Sequence, residues 1–150
     1  MRKNHLLLLA ASLLVLTSCA PVVPLEPAEQ ANNPECAEII VRLPDELAGL
    51  DKRRVNAQST AAWGEPAAVI LRCGLEPVEV SSLVCVTASD IDWLLDESEA
   101  PIYRFISYAR SPATEVIVDS TVVAGITVLD ELAGSIGVLD ATKRCTELTN

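Results

Sequence analysis

Residues 61–73 read Ala61-Ala62-Trp63-Gly64-Glu65-Pro66-Ala67-Ala68-Val69-Ile70-Leu71-Arg72-Cys73. The first six form a turn, and 67–73 alternates as a strand. Val69, Leu71 and Cys73 share one face, and Ala68, Ile70 and Arg72 share the other. Apolar residues on both faces mark a central strand. Arg72 among them needs a carboxylate partner or a sheet edge, because an unpaired buried guanidinium is costly.

Downstream, residues 78–86 read as a second strand interrupted by Ser81-Ser82, and residues 90–96 as a short third. After Pro101, Ile102, Arg104 and Ile106 alternate with Tyr103, Phe105 and Ser107, and 114–119 (TEVIVD) returns as the second arm of a hairpin. Ser120 or Asp119 is placed to cap a final helix to about Ala133 that buries Val122, Val123, Ile126, Leu129 and Leu132, with Gly134 ending it. The tail packs Ile136, Val138 and Leu139.

Upstream, Asn33-Pro34-Glu35 is a helix start, with Asn33 as N-cap, Pro34 at the first helical position and acidic residues at the positive end of the dipole. Cys36, Ile39, Ile40 and Leu43 recur at helical spacing, so that face is core. Pro44 stops the helix. Residues 45–50 are expected to add one helical turn closed by Gly49, and Lys52-Arg53-Arg54 to sit in a solvated loop. The sum is an α+β domain: a small antiparallel sheet of four or five strands flanked by an N-terminal and a C-terminal helix, stapled by disulfides.

The chain opens as a secretory signal over residues 1–18, with Arg2 and Lys3 before an apolar stretch from Leu6 to Leu16 that is too short to span a bilayer. Leu16-Thr17-Ser18-Cys19 looks like a bacterial lipobox, whose cysteine is lipidated. Two acyl chains on Cys19 would hold the protein stably at a membrane. Residues 19–33 (CAPVVPLEPAEQANN) then read as a lipidated cysteine and Pro-rich tether extending up to ~3.1 Å per residue. Residues 34–150 make a single globular domain.

Loss of the signal removes Arg2 and Lys3 and takes the formal charge from −10 to −12. Such a chain is a poor partner for nucleic acid or for anionic headgroups, so the lipid carries the attachment to the membrane. His5, the only histidine, lies in the signal. Serine and cysteine triads and His-ligated zinc are therefore excluded from the mature protein.

Cys36, Cys73, Cys85 and Cys145 remain, an even count that reads as two disulfides with three possible connectivities. Cys73 with Cys85, local and hairpin-like, and Cys36 with Cys145, joining the first element to the last, is the expected pairing. No C-x-x-C pair points to redox or zinc chemistry.

Several short motifs, in this order, resemble a known family of actinobacterial envelope lipoproteins, domain of unknown function 3515. They are the lipobox at Cys19, Pro34-Glu35-Cys36-Ala37, Ala62-Trp63-Gly64-Glu65-Pro66 with Ile70-Leu71-Arg72-Cys73-Gly74, Asp92-Trp93, Tyr108-Ala109-Arg110-Ser111-Pro112 and Arg144-Cys145. The resemblance implies an exported, lipid-anchored envelope domain and supplies no activity or catalytic residue.

The functional expectation is a non-enzymatic interaction or scaffolding domain at the outer face of the cytoplasmic membrane, without cofactor or metal, whose partner is an envelope protein. The alternative is a binder of cell-wall fragments. It would use the sheet face away from the helices, with some of Trp63, Trp93, Tyr103, Phe105 and Tyr108 stacking and Arg72, Arg104 and Arg110 meeting carboxylates. The acidic run Asp90, Asp92, Asp96, Glu97 and Glu99 lacks the order of a calcium loop. A carboxylate hydrolase built on Asp90, Asp92 and Asp96 is the third reading.

Overall fold

The computed structural model describes residues 21–145, so the signal segment and Cys19 lie outside the described residues. The elements are α1 (Pro34–Ile40), β1 (Glu46–Leu47), β2 (Leu50–Arg53), β3 (Thr60–Trp63), β4 (Val69–Leu75), β5 (Val84–Ala88), β6 (Ile91–Asp96), β7 (Ile102–Ser107), β8 (Ala113–Asp119) and α2 (Gly125–Ile136). The strands form one antiparallel sheet in the order β1-β2-β3-β4-β8-β7-β6-β5. Two four-stranded meanders thus meet where β4 pairs with β8.

Eight strands replace the four or five expected, and α1 and α2 are short elements on a mainly β domain. The three additional strands have local causes. Residues 46–51 turn tightly around Ala48 and Gly49, both at positive φ (50° and 77°), the geometry of a two-residue hairpin rather than of a helix end. Glu131 on α2 accepts a hydrogen bond from the Ala48 amide at 2.7 Å, which fixes that turn. Lys52 and Arg53 of the basic run end β2, where they pair with Trp63 and Ala62 of β3, and Arg54 follows it, exposed.

Directly paired residues of neighbouring antiparallel strands point to one face. Val69, Leu71 and Cys73 of β4, Trp93 of β6, Phe105 of β7 and Val116 and Val118 of β8 face the helices and form the main core with Cys36 and Ile39 of α1. Asn33 caps α1 as expected, accepting from the Glu35 amide at 3.0 Å. α2 begins later than expected because Asp119 accepts from the amides of Val122 and Val123, holding them in a turn. The buried stripe is therefore Val128, Leu129, Leu132 and Ile136, while Val122, Ile126 and Val138 are exposed and Gly134 lies inside the helix.

Both disulfides differ from the expected pairing. Cys36 joins Cys73 with Cα atoms 5.6 Å apart, and Cys85 joins Cys145 at 6.2 Å. Cys73 and Cys85 belong to strands separated by β8, β7 and β6. At ~4.8 Å per strand that is roughly 19 Å, far beyond disulfide reach. The first bridge ties α1 to the helix-covered face, and the second ties the C-terminal tail to β5.

The expected tether is likewise bound to the domain over its described part. Val23 bridges Val55 in parallel, the Leu25 amide donates to Asn56 Oδ1 at 2.7 Å, and the Gln30 amide donates to the Gly74 carbonyl at 2.8 Å. Gly74 has φ +110°, and a Cβ there would stand 2.5 Å from the Gln30 carbonyl carbon. The chain lies directly on it.

Candidate functional site

The sheet face away from the helices carries Arg72 of β4, Glu115 of β8 and Arg104 of β7 side by side. Arg72 is paired with Glu115 in register, and Arg104 is paired with Ile117, two residues along β8. Alternation with a period of two brings all three onto this face. Glu115 Oε1 accepts from Arg72, and Oε2 accepts from Arg104 Nε. Glu115 is fully buried, whereas the Arg72 and Arg104 side chains are 31% and 37% exposed.

A carboxylate stripped of water requires such compensation, and fixed guanidinium forks supply it. Two cations and one anion leave the trio itself at +1, and the exposed carboxylates of Glu29 and Glu76 on the groove walls bring the groove to −1.

The arginines line a groove of about 430 Å³. One wall is Pro27, Ala28 and Glu29 of the N-terminal segment, and the other is Leu75, Glu76 and Val78 with Ile106. Gln30 Nε2 donates to Glu76 Oε1 at 2.5 Å, and the Ala109 amide donates to the Val78 carbonyl at 3.1 Å, so both walls are tied down. Beyond Arg104 a second hollow of about 230 Å³ contains Asp96, Ser98 and Glu99. Asp96 accepts from the Ser98 amide at 3.0 Å. Hydrogen bonds from Ser98, with a smaller contribution from the Arg104 charge, hold its carboxyl below the ordinary aspartate value.

Of the expected ligand residues, Arg72 and Arg104 face this groove. Trp63 and Trp93 are fully buried on the helix side, and Trp63 Nε1 donates to the Pro44 carbonyl at 3.1 Å. Tyr103 is also on the helix side, in a separate apolar groove of about 270 Å³ with Phe105, Ile126 and Leu129. Arg110 is buried in the β7–β8 turn, donates to the Leu139 carbonyl, and is held below the usual guanidinium range first by burial and then by nearby Arg144. The sheet therefore separates Trp63, Trp93 and Tyr103 from Arg72 and Arg104, while Tyr108 packs against Leu94 and Ile106 on the uncovered side and donates to the Glu79 carbonyl at 3.0 Å.

The acidic candidates for hydrolysis are dispersed. Asp92 is buried and accepts from Thr87 Oγ1 and the Cys145 amide at 2.7 and 2.9 Å, Asp90 sits in the β5–β6 turn, and Asp96 accepts from Ser98. Among the described residues no three His, Cys, Asp or Glu side chains group as metal ligands, and no helix is long and apolar enough to cross a membrane. Glu115, the centre of the site, was missed by sequence reasoning. The available signal was an acid in the middle of the apolar alternation 114–119, on a strand able to meet Arg72.

Fold and site together define a small, disulfide-bonded, mainly antiparallel β domain with an arginine-floored groove on its uncovered face. A family profile matches residues 6–144, and the chain belongs to that family, described as Protein of unknown function (DUF3515). No curated protein and no solved structure matches the chain.

Proposed function

We propose that the protein is an exported, lipid-anchored binding domain of the cell envelope, not an enzyme, and that its open sheet face takes a carboxylate-bearing segment of a protein partner. The observation that carries this reading is the pair Arg72 and Arg104, each held at one edge by buried Glu115 and each about one-third exposed toward the groove. Fixing a guanidinium before the ligand arrives lowers the ordering cost of binding.

Glu29 and Glu76 on the walls offset the two guanidiniums, so a carboxylate gains from direct hydrogen bonds and not from a positive field. The background charge of −12 opposes long-range attraction of any anion, so the partner is recognised at contact distance. The signal and lipobox of residues 1–19 place the domain outside the cytoplasmic membrane in this reading, and two disulfides suit that compartment. The burial of Trp63 and Trp93 takes both indoles out of any sugar-stacking platform.

The test is anisotropy titration of the detergent-solubilised full chain with a fluorescent tetraglutamate peptide and its tetraglutamine counterpart. Binding of the acidic peptide only is expected, weakened ~10–100-fold by Arg104→Gln, the equivalent of one charge-assisted hydrogen bond. Equal binding of both peptides, or an Arg104→Gln protein of unchanged affinity, refutes the proposal.

A further inference from the structure

The chain just after the lipobox does not leave the domain. Arg53 of β2, with a side chain 9% exposed, donates to the Gly64 carbonyl at 2.8 Å and to the Pro21 carbonyl at 3.1 Å. The Val23 amide donates to the Arg54 carbonyl at 2.8 Å, Val23 bridges Val55, and the Leu25 amide donates to Asn56 at 2.7 Å. Residues 21–25 therefore form a strap beside residues 53–56, where the chain runs on past the pairing of β2 with β1, the outermost strand on this side.

Cys19 precedes Pro21 by two residues, so at most ~7 Å of extended chain separates it from a fixed point on the domain. A free tether over residues 19–33 would have allowed roughly 45 Å.

We infer that the edge formed by residues 21–25, Arg54 and the Glu65-Pro66 turn is held against the phospholipid headgroup surface, with the sheet edge-on and β5 pointing away. This inference rests on the reading of Cys19 as a lipid anchor. The chemistry of the edge suits headgroup depth. Pro21, Val22 and Pro24 are exposed apolar residues, Arg54 is exposed to meet phosphates, and Arg53 is matched by Glu65 at 3.5 Å. Exposed Glu26, Asp51 and Glu65, with Asp45 and Glu46 at the outermost strand β1, oppose deeper insertion.

An edge-on sheet leaves the Arg72–Arg104 groove open sideways, at the height of segments that emerge from neighbouring membrane proteins. Position 82 stands two residues before β5, the strand that lies six spacings, or ~29 Å, from β2.

The full acylated chain is placed in phosphatidylglycerol–phosphatidylcholine vesicles containing nitroxide-headgroup lipid, with a fluorophore attached through an azide-bearing residue at position 54 or 82. Strong quenching at 54 and little at 82 is expected, and replacing residues 21–25 by Gly and Ser should reduce the quenching at 54. Equal quenching at the two positions, or stronger quenching at 82, overturns the inference. Vesicle flotation of the unlabelled chain with and without Cys19→Ser scores the anchor separately. If that chain does not float, coupling Cys19 to a maleimide lipid supplies the attachment, and the same two positions decide the orientation.

Discussion

Replacing Glu115 by Leu tests whether Arg72, Glu115 and Arg104 act as one unit. Glu115 is fully buried, and each of its carboxylate oxygens accepts from a different arginine. Leucine fills a similar volume, so the loss is electrostatic rather than a cavity. Stranding a buried charge costs ~3–5 kcal/mol. The two guanidiniums are 31% and 37% exposed and can turn partly to water, which lowers the figure here.

We expect about 2–3 kcal/mol for Glu115→Leu after that discount. For a domain of this size each kcal/mol moves Tm by roughly 3–5 °C, so the melting temperature should fall by ~6–15 °C. Arg72→Met alone should cost ~1.5–3 kcal/mol. The double variant should cost less than the sum, with a coupling of ~1–3 kcal/mol, because Arg72→Met removes a charge that Glu115→Leu strands. Urea unfolding and circular dichroism melts of the four proteins measure this. A Glu115→Leu protein within the ~0.5 kcal/mol scatter of ordinary surface substitutions, or strict additivity, refutes the reasoning.

Trp63→Ala should cost ~3–5 kcal/mol in urea unfolding, as expected for a buried aromatic, without altering peptide affinity at a temperature where the variant remains folded. Removal of either disulfide by paired Cys→Ser changes should cost about 4 kcal/mol by chain entropy for closures of 37 and 60 residues. Limited proteolysis should detect a loosened C-terminal tail only in the Cys85→Ser/Cys145→Ser protein. The Asp96 carboxyl is depressed in the folded state by its hydrogen bonds from Ser98, so the ordering of the β6–β7 turn is present above the ordinary aspartate value and is lost as pH falls through the folded one. Carboxyl-carbon NMR should show its midpoint below 3.8 and a move back toward 3.8 in Ser98→Ala.

Parts of the fold were legible where a single rule dominated. Asn33-Pro34 set the start of α1, and the alternations 67–73, 102–107 and 114–119 correspond to β4, β7 and β8. The misses came where several weak signals competed. Gly49 serves helix ends and hairpins alike, and residues 60–63 carry two alanines of low strand propensity before Trp63. The disulfide pairing depended on strand order, which cysteine spacing does not encode.

The site was partly readable. Tyr103 and Phe105 alternate with Arg104, so one strand cannot present the aromatics and the arginine together. Once helices cover one face, parity alone puts Tyr103 and Phe105 beneath them and Arg104 outside. The N-terminal segment misled because proline-rich composition describes backbone preference and not attachment. Its fastening to Arg53, Asn56 and Gly74 is tertiary.

The most direct test of the binding account is arginine side-chain NMR of the full chain in detergent during titration with tetraglutamate. The account predicts that the Nε–H resonances of Arg72 and Arg104 shift together and saturate with one affinity, while those of Arg42 and buried Arg110 stay still. Shifts spread evenly over all the arginines, or none at Arg72 and Arg104, would contradict it.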